Sequence, residues 1–215
     1  MPLLVTVTFS FSIDCPDLIQ FGYNLGIQTA RPAIWTSLQS DCCLASGVTC
    51  VSQRVTQITW NSMGLSGFVN GSAVPQGVFD LKASFNSLSG TLPTSLPPGL
   101  QTLHLEVNRL TGIIPPLPSS LQDLGLYANK LLGPIPAAFP NSLTIIGLDN
   151  NLLNGTIPST LPSGLRTLWL YNNMLTGDLP TFPSSLQRLS LGFSGSSKKQ
   201  TYWYFKIACT NTTLD

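Results

Sequence analysis

Four consecutive segments between residues 100 and 180 carry one pattern of leucine, asparagine, glycine and proline. They read LQTLHLEVNRLTGIIP (100–115), LQDLGLYANKLLGPIP (121–136), LTIIGLDNNLLNGTIP (143–158) and LRTLWLYNNMLTGDLP (165–180). Their shared template is L-x-x-L-x-L-x-x-N-x-L-x-G-x-I-P. Self-similarity at a short fixed period is typical of a solenoid, in which each repeat forms one coil that stacks on the next. The sequence therefore predicts a solenoid.

The same spacing extends the array on both sides of this stretch. We predict about seven repeats over residues 55–193, with the last one degenerate because Ser194 and Lys198 fall where the template has asparagine and glycine. The apolar residues that lead the predicted strands recur every 21 to 23 residues, at Ile58, Leu81, Leu103, Leu124, Ile146, Leu168 and Leu189.

Each column of the template has a physical role. The L-x-L residues are expected to point inward from a short strand and to stack on the same residues of the next coil. An asparagine side chain can hydrogen-bond backbone groups where the chain leaves the strand, which would otherwise be buried without partners. This column holds Asn86, Asn108, Asn129, Asn151 and Asn173.

Prolines restrict the opposite side of each coil. The proline that precedes the next strand follows the proline that ends the template by three or four positions, as Pro118 follows Pro115 and Pro140 follows Pro136. A regular helix does not fit between prolines so close together. We therefore expect a convex side of turns and 3₁₀ segments.

Composition and cysteine usage limit the class of protein. The chain has 215 residues, a net charge of +1 and only 9% charged residues, against about 25% in average soluble domains. It lacks the basic stripe that a nucleic-acid partner requires. Three of its five cysteines fall within nine residues, and the single histidine, His104, is far from them, so we expect a disulfide-closed cap rather than a metal site.

The cap sequence extends over residues 14–54 and implies an oxidising, extracellular location. Sequons for N-glycosylation agree with secretion and start at Asn70, Asn154 and Asn211. No run is long and apolar enough to predict a membrane span. No cofactor motif is present.

The residues that follow Trp35 carry a specific resemblance. W-T-S-L-Q-S-D-C-C, G-V-T-C and R-V-T stand in order before the first repeat. This layout resembles the N-terminal cap of plant-type leucine-rich-repeat proteins, such as polygalacturonase-inhibiting proteins and receptor-like ectodomains. The repeats are about two residues shorter than the commoner plant repeat, and they are similar to short repeats in some protist and algal proteins.

The resemblance implies a fold and a disulfide pattern. The expected fold is a β-rich α/β solenoid: a right-handed coil with a parallel concave sheet, a convex side of turns and 3₁₀ segments, and a disulfide-closed N-terminal cap. The L-x-G-x-I-P run implies a second short strand after each turn. The implied disulfides are Cys15–Cys42 and Cys43–Cys50.

Two further segments flank the cap and the repeats. Residues 1–13 alternate between apolar and polar side chains and predict a half-buried strand, with a signal peptide as the alternative. Residues 194–215 predict a loop followed by an aromatic strand. Cys209 in this segment has no obvious partner, which suggests an intermolecular bond or a free thiol.

Residues that flank the strand leucines are expected to face outward on the concave sheet. The largest aromatics among them, Tyr127, Trp169 and Tyr171, come from the fourth and sixth repeats with Asp149 between them, and exposed aromatics that a fold does not need are binding candidates. The full set of candidate binding residues is Phe85, His104, Glu106, Tyr127, Asp149, Trp169, Tyr171 and Asn172.

Two classes of function remain open. The first is an extracellular, non-catalytic recognition or adhesion module that binds a protein or a cell-wall glycan on the concave face. The second is a structural subunit of an extracellular filament, coat or matrix that assembles through its terminal strands, which are candidates for pairing with a neighbouring copy.

Catalysis is not expected. Glu106 and Asp149 lie two repeats apart, which places them about 10 Å from each other at the usual strand spacing. We expect both on an open surface, where nothing would bury them and raise their pKa values. No nucleophile motif accompanies His104.

Overall fold

In the computed structural model, which describes residues 12–192 and the backbone of residues 203–206, three short helices begin the cap. They are α1 (Cys15–Asn24), α2 (Ile27–Ala30) and α3 (Pro32–Ser40), followed by a 3₁₀ helix at Cys42–Leu44. Within the described residues, none of the helices is long and apolar enough to cross a membrane. The predicted strand at residues 1–13 falls almost entirely on residues outside the described part of the chain.

Both disulfides that the resemblance implied are confirmed. Cys15 bonds to Cys42 across 27 residues, and Cys43 bonds to Cys50 across 7 residues. The first bond joins the start of α1 to the end of the helical segment. The second joins the 3₁₀ helix to the first strand. The two bonds therefore connect the helices of the cap to one another and to the sheet.

The cap packs directly on the first coil of the solenoid. The rings of Phe21 and Trp60 stack with centroids 6.0 Å apart, and both side chains are fully buried. The N–H of Phe68 donates to the carbonyl oxygen of Asn24 at 2.9 Å. A Cβ atom on Gly67 would lie 1.8 Å from that same oxygen, so glycine is required for this close backbone approach.

The strands of the main sheet follow one another in chain order along the solenoid. The sheet has nine described strands. Their bounds are β1 (Val48–Val51), β2 (Arg54–Thr59), β3 (Asp80–Lys82), β4 (Thr102–His104), β6 (Asp123–Gly125), β8 (Ile145–Gly147), β10 (Thr167–Trp169), β12 (Arg188–Leu191) and β13 (Trp203–Lys206).

Pairing in this sheet changes direction only at its two ends. Strands β2 to β12 pair in parallel, with the leading apolar residues in register, for example Leu103 beside Leu124. Strand β1 is antiparallel to β2, and β13 is antiparallel to β12. The parallel sheet is thus flanked by one antiparallel strand on each side.

A second, smaller sheet follows the turn of each coil, as the resemblance implied. It contains β5 (Thr111–Gly112), β7 (Lys130–Pro134), β9 (Leu152–Gly155) and β11 (Met174–Leu175), all parallel.

The convex side consists of turns. In the second to seventh repeats, the residue that opens the template donates its N–H to the carbonyl oxygen of the proline three residues earlier, as Leu121 does to Pro118 at 3.1 Å. One 3₁₀ helix, Gly71–Ala73, also lies among the described repeats. The predicted β-rich solenoid, with turns and 3₁₀ segments on its described convex side, is confirmed.

Asparagine side chains connect neighbouring coils. Nδ2 of Asn129 donates to the carbonyl oxygens of Leu105 and Leu126 at 3.1 Å each, and Oδ1 accepts the N–H of Leu110 at 3.0 Å. The buried N–H of Leu110 has no other described partner, and each of the two carbonyl oxygens also accepts a second asparagine amide, from Asn108 or Asn151. The same contacts recur at Asn86, Asn108, Asn151 and Asn173.

Replacing one of these asparagines should destabilise the solenoid. In Asn129→Ala, the buried N–H of Leu110 loses its described partner, while the carbonyl oxygens of Leu105 and Leu126 keep the amides of Asn108 and Asn151. Because one buried unsatisfied group costs about 1–3 kcal/mol, we expect the free energy of unfolding in urea to fall by about 1–3 kcal/mol. As a control, Asn154→Ala on the exposed part of β9 should change it by less than about 0.5 kcal/mol. Equal effects of the two substitutions would contradict this role.

Candidate functional site

The outward side chains of the concave face stand on a hydrogen-bonded backbone. Where each strand ends, one residue takes a left-handed conformation, with φ of 55° at Val107, 53° at Ala128 and 55° at Asn150. The N–H groups of these residues donate to the carbonyl oxygens of Tyr127, Asp149 and Tyr171, respectively, at 2.9–3.0 Å. The backbone of these three outward residues is therefore fixed by the neighbouring coil.

We define the acid–aromatic cluster as Glu106, Tyr127, Asp149, Trp169 and Tyr171. The three aromatic side chains are partly exposed. The two acidic residues are buried, with Asp149 only 3% exposed and Glu106 9% exposed. The cluster thus combines accessible rings with carboxylates that lie below them.

Two glycines leave space for the side chains of the cluster. A Cβ atom on Gly125 would lie 2.7 Å from Oε2 of Glu106, so this carboxylate extends over the neighbouring strand β6. A Cβ atom on Gly147 would contact both Trp169, at 3.5 Å, and Tyr127, at 3.7 Å. The rings of Tyr127 and Trp169 therefore converge over Gly147 from the coils on either side.

The expectation that nothing buries the acidic pair is wrong. Burial raises the pKa of Asp149 above its usual value, although hydrogen bonds from Tyr171 and Asn150 lower it. Oδ2 accepts Nδ2 of Asn150 at 2.7 Å, whereas Oδ1 is buried and has no hydrogen-bond donor among the described residues. The short side chain of Asp149 is held against its neighbours by the hydrogen bonds from Tyr171 and Asn150, which sequence position alone does not reveal.

The two carboxylate oxygens of Glu106 have different surroundings. Its Oε1 lies 4.0 Å from Nδ1 of His104. Its Oε2, the atom that extends over Gly125, is buried and also lacks a hydrogen-bond donor in the described part of the chain. Together with Asp149, this gives two unpartnered carboxylate oxygens in one cluster.

His104 lies at the edge of the cluster and pairs with the next coil. Its Nε2 is 3.2 Å from Oδ1 of Asp123. The hydrogen bond with Asp123 raises the pKa of His104 above 6.5, and the charges of Asp123 and Glu106 add to this, while burial and Lys82 lower it. Lys82 is itself paired with Asp80 at 2.7 Å.

The remaining predicted residues lie near the cluster or apart from it. Nδ2 of Asn172 donates to Oδ1 of Asn150 at 2.8 Å, which links it to Asp149 through Asn150. Asn150 is not among the predicted binding residues, although it occupies the same template position as Asn172. Phe85 is 52% exposed in a left-handed position on the second repeat, and its backbone N–H donates to the carbonyl oxygen of Glu106 at 2.9 Å.

The surroundings of Tyr127 disfavour its deprotonation. Burial raises the pKa of Tyr127, and the charges of Glu106 and Asp149 and the neighbouring Tyr171 raise it further. Tyr127 lies on the coil between those of the two acidic residues, so both charges act on it.

Neither a metal nor a glycan is assigned by the geometry. In the described residues, the one group of three potential ligands that converges is Cys15, Asp41 and Cys42, and its two cysteines form a disulfide. Of the sequons, Asn154 is exposed on β9 and Asn70 accepts the hydroxyl of Ser72 at 2.8 Å. Asn211 and Cys209 lie outside the described residues, and glycosylation remains a prediction.

Comparison with known proteins gives one family. The family model described as Leucine Rich Repeat matches residues 99–121 and 164–186. The chain is similar to a structure of the BIR3–SERK2 complex from Arabidopsis thaliana, with 30% identity, coverage of 77% of this chain and 96% of that chain, and a TM-score of 0.65. The BIR2 ectodomain from the same plant shows 29% identity over 78% and 96%, with a TM-score of 0.65.

A third similar structure is that of a receptor complex. The plant peptide hormone receptor RGFR1 in complex with RGF2 shows 36% identity over 61% of this chain and 24% of that chain, with a TM-score of 0.56.

The titration of His104 provides a direct test of the site geometry. This is the chain's one histidine, so its imidazole protons are identified without assignment in an NMR titration. We expect a pKa above 6.5 in the folded protein and a lower one in Asp123→Asn, because the hydrogen bond with Asp123 is the largest cause of the increase. A pKa that does not respond to Asp123→Asn would contradict the pairing.

The same shift links stability to pH. Because the folded-state pKa is raised, the contribution of His104 to stability is fully present below about pH 6.5. It is lost as the pH rises through the folded-state pKa, and His104→Asn should remove this dependence.

Proposed function

We propose that this chain, which belongs to the plant-type leucine-rich-repeat family, is an extracellular recognition module that binds a protein or peptide on its concave face. The observation that carries the proposal is the acid–aromatic cluster. Tyr127 and Trp169 are partly exposed, and the coil does not need them, because its core consists of the inward apolar columns. Aromatic side chains placed in this way bury much area at a small cost in conformational entropy.

The related structures support a protein or peptide as the class of partner. One of them is a complex between two proteins, BIR3 and SERK2, and another is a peptide hormone receptor in complex with RGF2. The disulfide-closed cap supports an extracellular location, because disulfides persist in oxidising compartments. We propose no catalysis, since the cluster has no nucleophile beside His104 and lies on an open sheet.

Binding should depend on the rings of the cluster and not on other exposed apolar residues. Tyr127→Ala with Trp169→Ala removes two rings for which no hydrogen bond is described, so the melting temperature should stay nearly unchanged. Tyr171 is retained in this variant because it hydrogen-bonds Asp149. The measurement is capture of secreted proteins and peptides, and separately of cell-wall glycans, by the immobilised chain.

A matched control separates the concave face from the rest of the surface. Ile113→Ala removes an apolar side chain that is more accessible than either ring, 60% exposed, beside the second sheet. Protein or peptide capture that is lost in Tyr127→Ala/Trp169→Ala and kept in Ile113→Ala supports the proposal. Capture by both variants would mean that the binding site lies elsewhere on the surface. Capture of glycans alone would contradict the proposed class of partner.

Self-assembly through the terminal strands is the alternative function, and the described contacts do not favour it. The aromatic strand β13 pairs with β12 of the same chain, and residues 1–11 lie outside the described part. We expect light scattering of the purified protein to give the mass of a single chain, 23.1 kDa. A polymer would instead favour the structural function and contradict recognition as the primary one.

A further inference from the structure

We propose that the acid–aromatic cluster is a subsite for one arginine side chain of the bound protein or peptide. Binding would turn the ring of Tyr127 aside, and the guanidinium would lie against this ring and donate hydrogen bonds to Oε2 of Glu106 and Oδ1 of Asp149, which are buried in the free protein. This inference rests on the proposed function and adds the chemical class of the group that is recognised.

Two unpartnered oxygens carry the inference. Oε2 of Glu106 and Oδ1 of Asp149 are buried, and neither has a hydrogen-bond donor among the described residues. Buried polar atoms without partners are rare in native proteins and cost free energy. Both oxygens belong to coils that flank Tyr127, so a donor held over this ring would reach toward both.

Charge specifies what kind of donor fits. The centre of the concave face holds three carboxylates, on Glu106, Asp123 and Asp149. Lys82 is paired with Asp80, and His104 faces Asp123 at 3.2 Å. Lys82 is thus directed away from the cluster, and His104 is shared between Asp123 and Oε1 of Glu106, at 4.0 Å, while Oε2 of Glu106 and Oδ1 of Asp149 have no donor among the described residues. A cation from the partner would supply the missing charge.

The arrangement favours a guanidinium over a metal ion. No three carboxylate, imidazole or thiolate ligand atoms converge within 4.8 Å at this place in the described chain, whereas a metal ion requires such a group. A guanidinium is planar, carries five N–H donors that can reach separated acceptors, and stacks on aromatic rings. Its requirements therefore match two separated carboxylates with a tyrosine between them.

The free protein should be more stable without these charges. Glu106→Gln and Asp149→Asn keep the shape of each side chain and remove a buried, incompletely paired carboxylate. The amide oxygen introduced by Asp149→Asn would still be able to accept the hydrogen bonds from Asn150 and Tyr171 that the carboxylate accepts now. A purely structural role would give the opposite result, because replacement of a structural carboxylate lowers stability.

The test uses fluorescein-labelled octa-arginine as the probe, with octa-citrulline as its neutral isostere. Fluorescence anisotropy is measured at about 0.15 M salt, which screens distant charges. We expect the full-length chain to bind octa-arginine and not octa-citrulline. The variant Glu106→Gln/Asp149→Asn should bind octa-arginine about tenfold more weakly or worse, since each hydrogen bond to a charged group contributes measurably.

A charge-matched control excludes a general effect of net charge. Asp17→Asn/Asp178→Asn removes two exposed carboxylates outside the concave face and should change the affinity by less than about twofold. Equal weakening in the two double variants, or an equal affinity of octa-lysine, would overturn the arginine subsite. So would a lower melting temperature of Glu106→Gln/Asp149→Asn than of the unaltered chain.

Different experimental outcomes would contradict the arginine subsite and the proposed function. Capture of a partner that depends on Tyr127 and Trp169 but not on Glu106 and Asp149 would keep the concave face and overturn the arginine subsite. Octa-arginine binding that depends on the two carboxylates, together with partner capture that ignores all four residues, would keep the subsite and overturn the proposed function.

Discussion

The hydrogen bonds of the asparagine column are the interaction on which the solenoid depends. Each of these side chains satisfies one buried N–H of the preceding coil and buried carbonyl oxygens of two coils, as Asn129 does for Leu110, Leu105 and Leu126. A coil with only short strands and turns leaves many such groups without a partner. One amide per repeat solves this problem and also fixes the rotation of each coil against the next. The leucines supply the driving force of burial, and the asparagines determine how the coils align.

Alignment of the coils determines what the concave face can do. Because parallel strands are in register, outward residues of successive coils form straight columns, and a residue on one coil contacts its neighbours at fixed positions. Gly125 and Gly147 interrupt one such column. Their missing side chains leave the places into which Glu106, Tyr127 and Trp169 extend. The cluster is therefore produced by the combination of a regular frame with two small residues.

The cluster holds two buried carboxylate oxygens without a donor among the described residues, on Glu106 and Asp149. Buried polar atoms of this kind also occur outside it, on Asn24, Gln28, Asp80 and Ser84. The repeat does not require the two charges, because Tyr127 and Tyr171 occupy the same template position on the alternate coils. The position of the two carboxylates beside exposed rings is what connects the architecture to recognition.

Much of this protein was predictable because its sequence is periodic. The spacing of Leu103, Leu124 and Ile146 determined the solenoid and the strand register, and the paired prolines determined the helix-free convex side. The residues around Cys42 and Cys50 identified the cap and its disulfides by resemblance. The alternation within each strand identified the outward residues, including Tyr127 and Trp169.

Contacts between coils were decided only by the tertiary structure. His104 pairs with Asp123 of the next coil, Asn150 connects Asp149 to Asn172, and Asp149, which sequence position placed in solvent, is buried. Periodicity specifies which face a side chain occupies, because that depends on the backbone alone. How side chains on that face lean, cover or pair with one another depends on the volumes of their neighbours on adjacent coils, and these come together only when the coils stack.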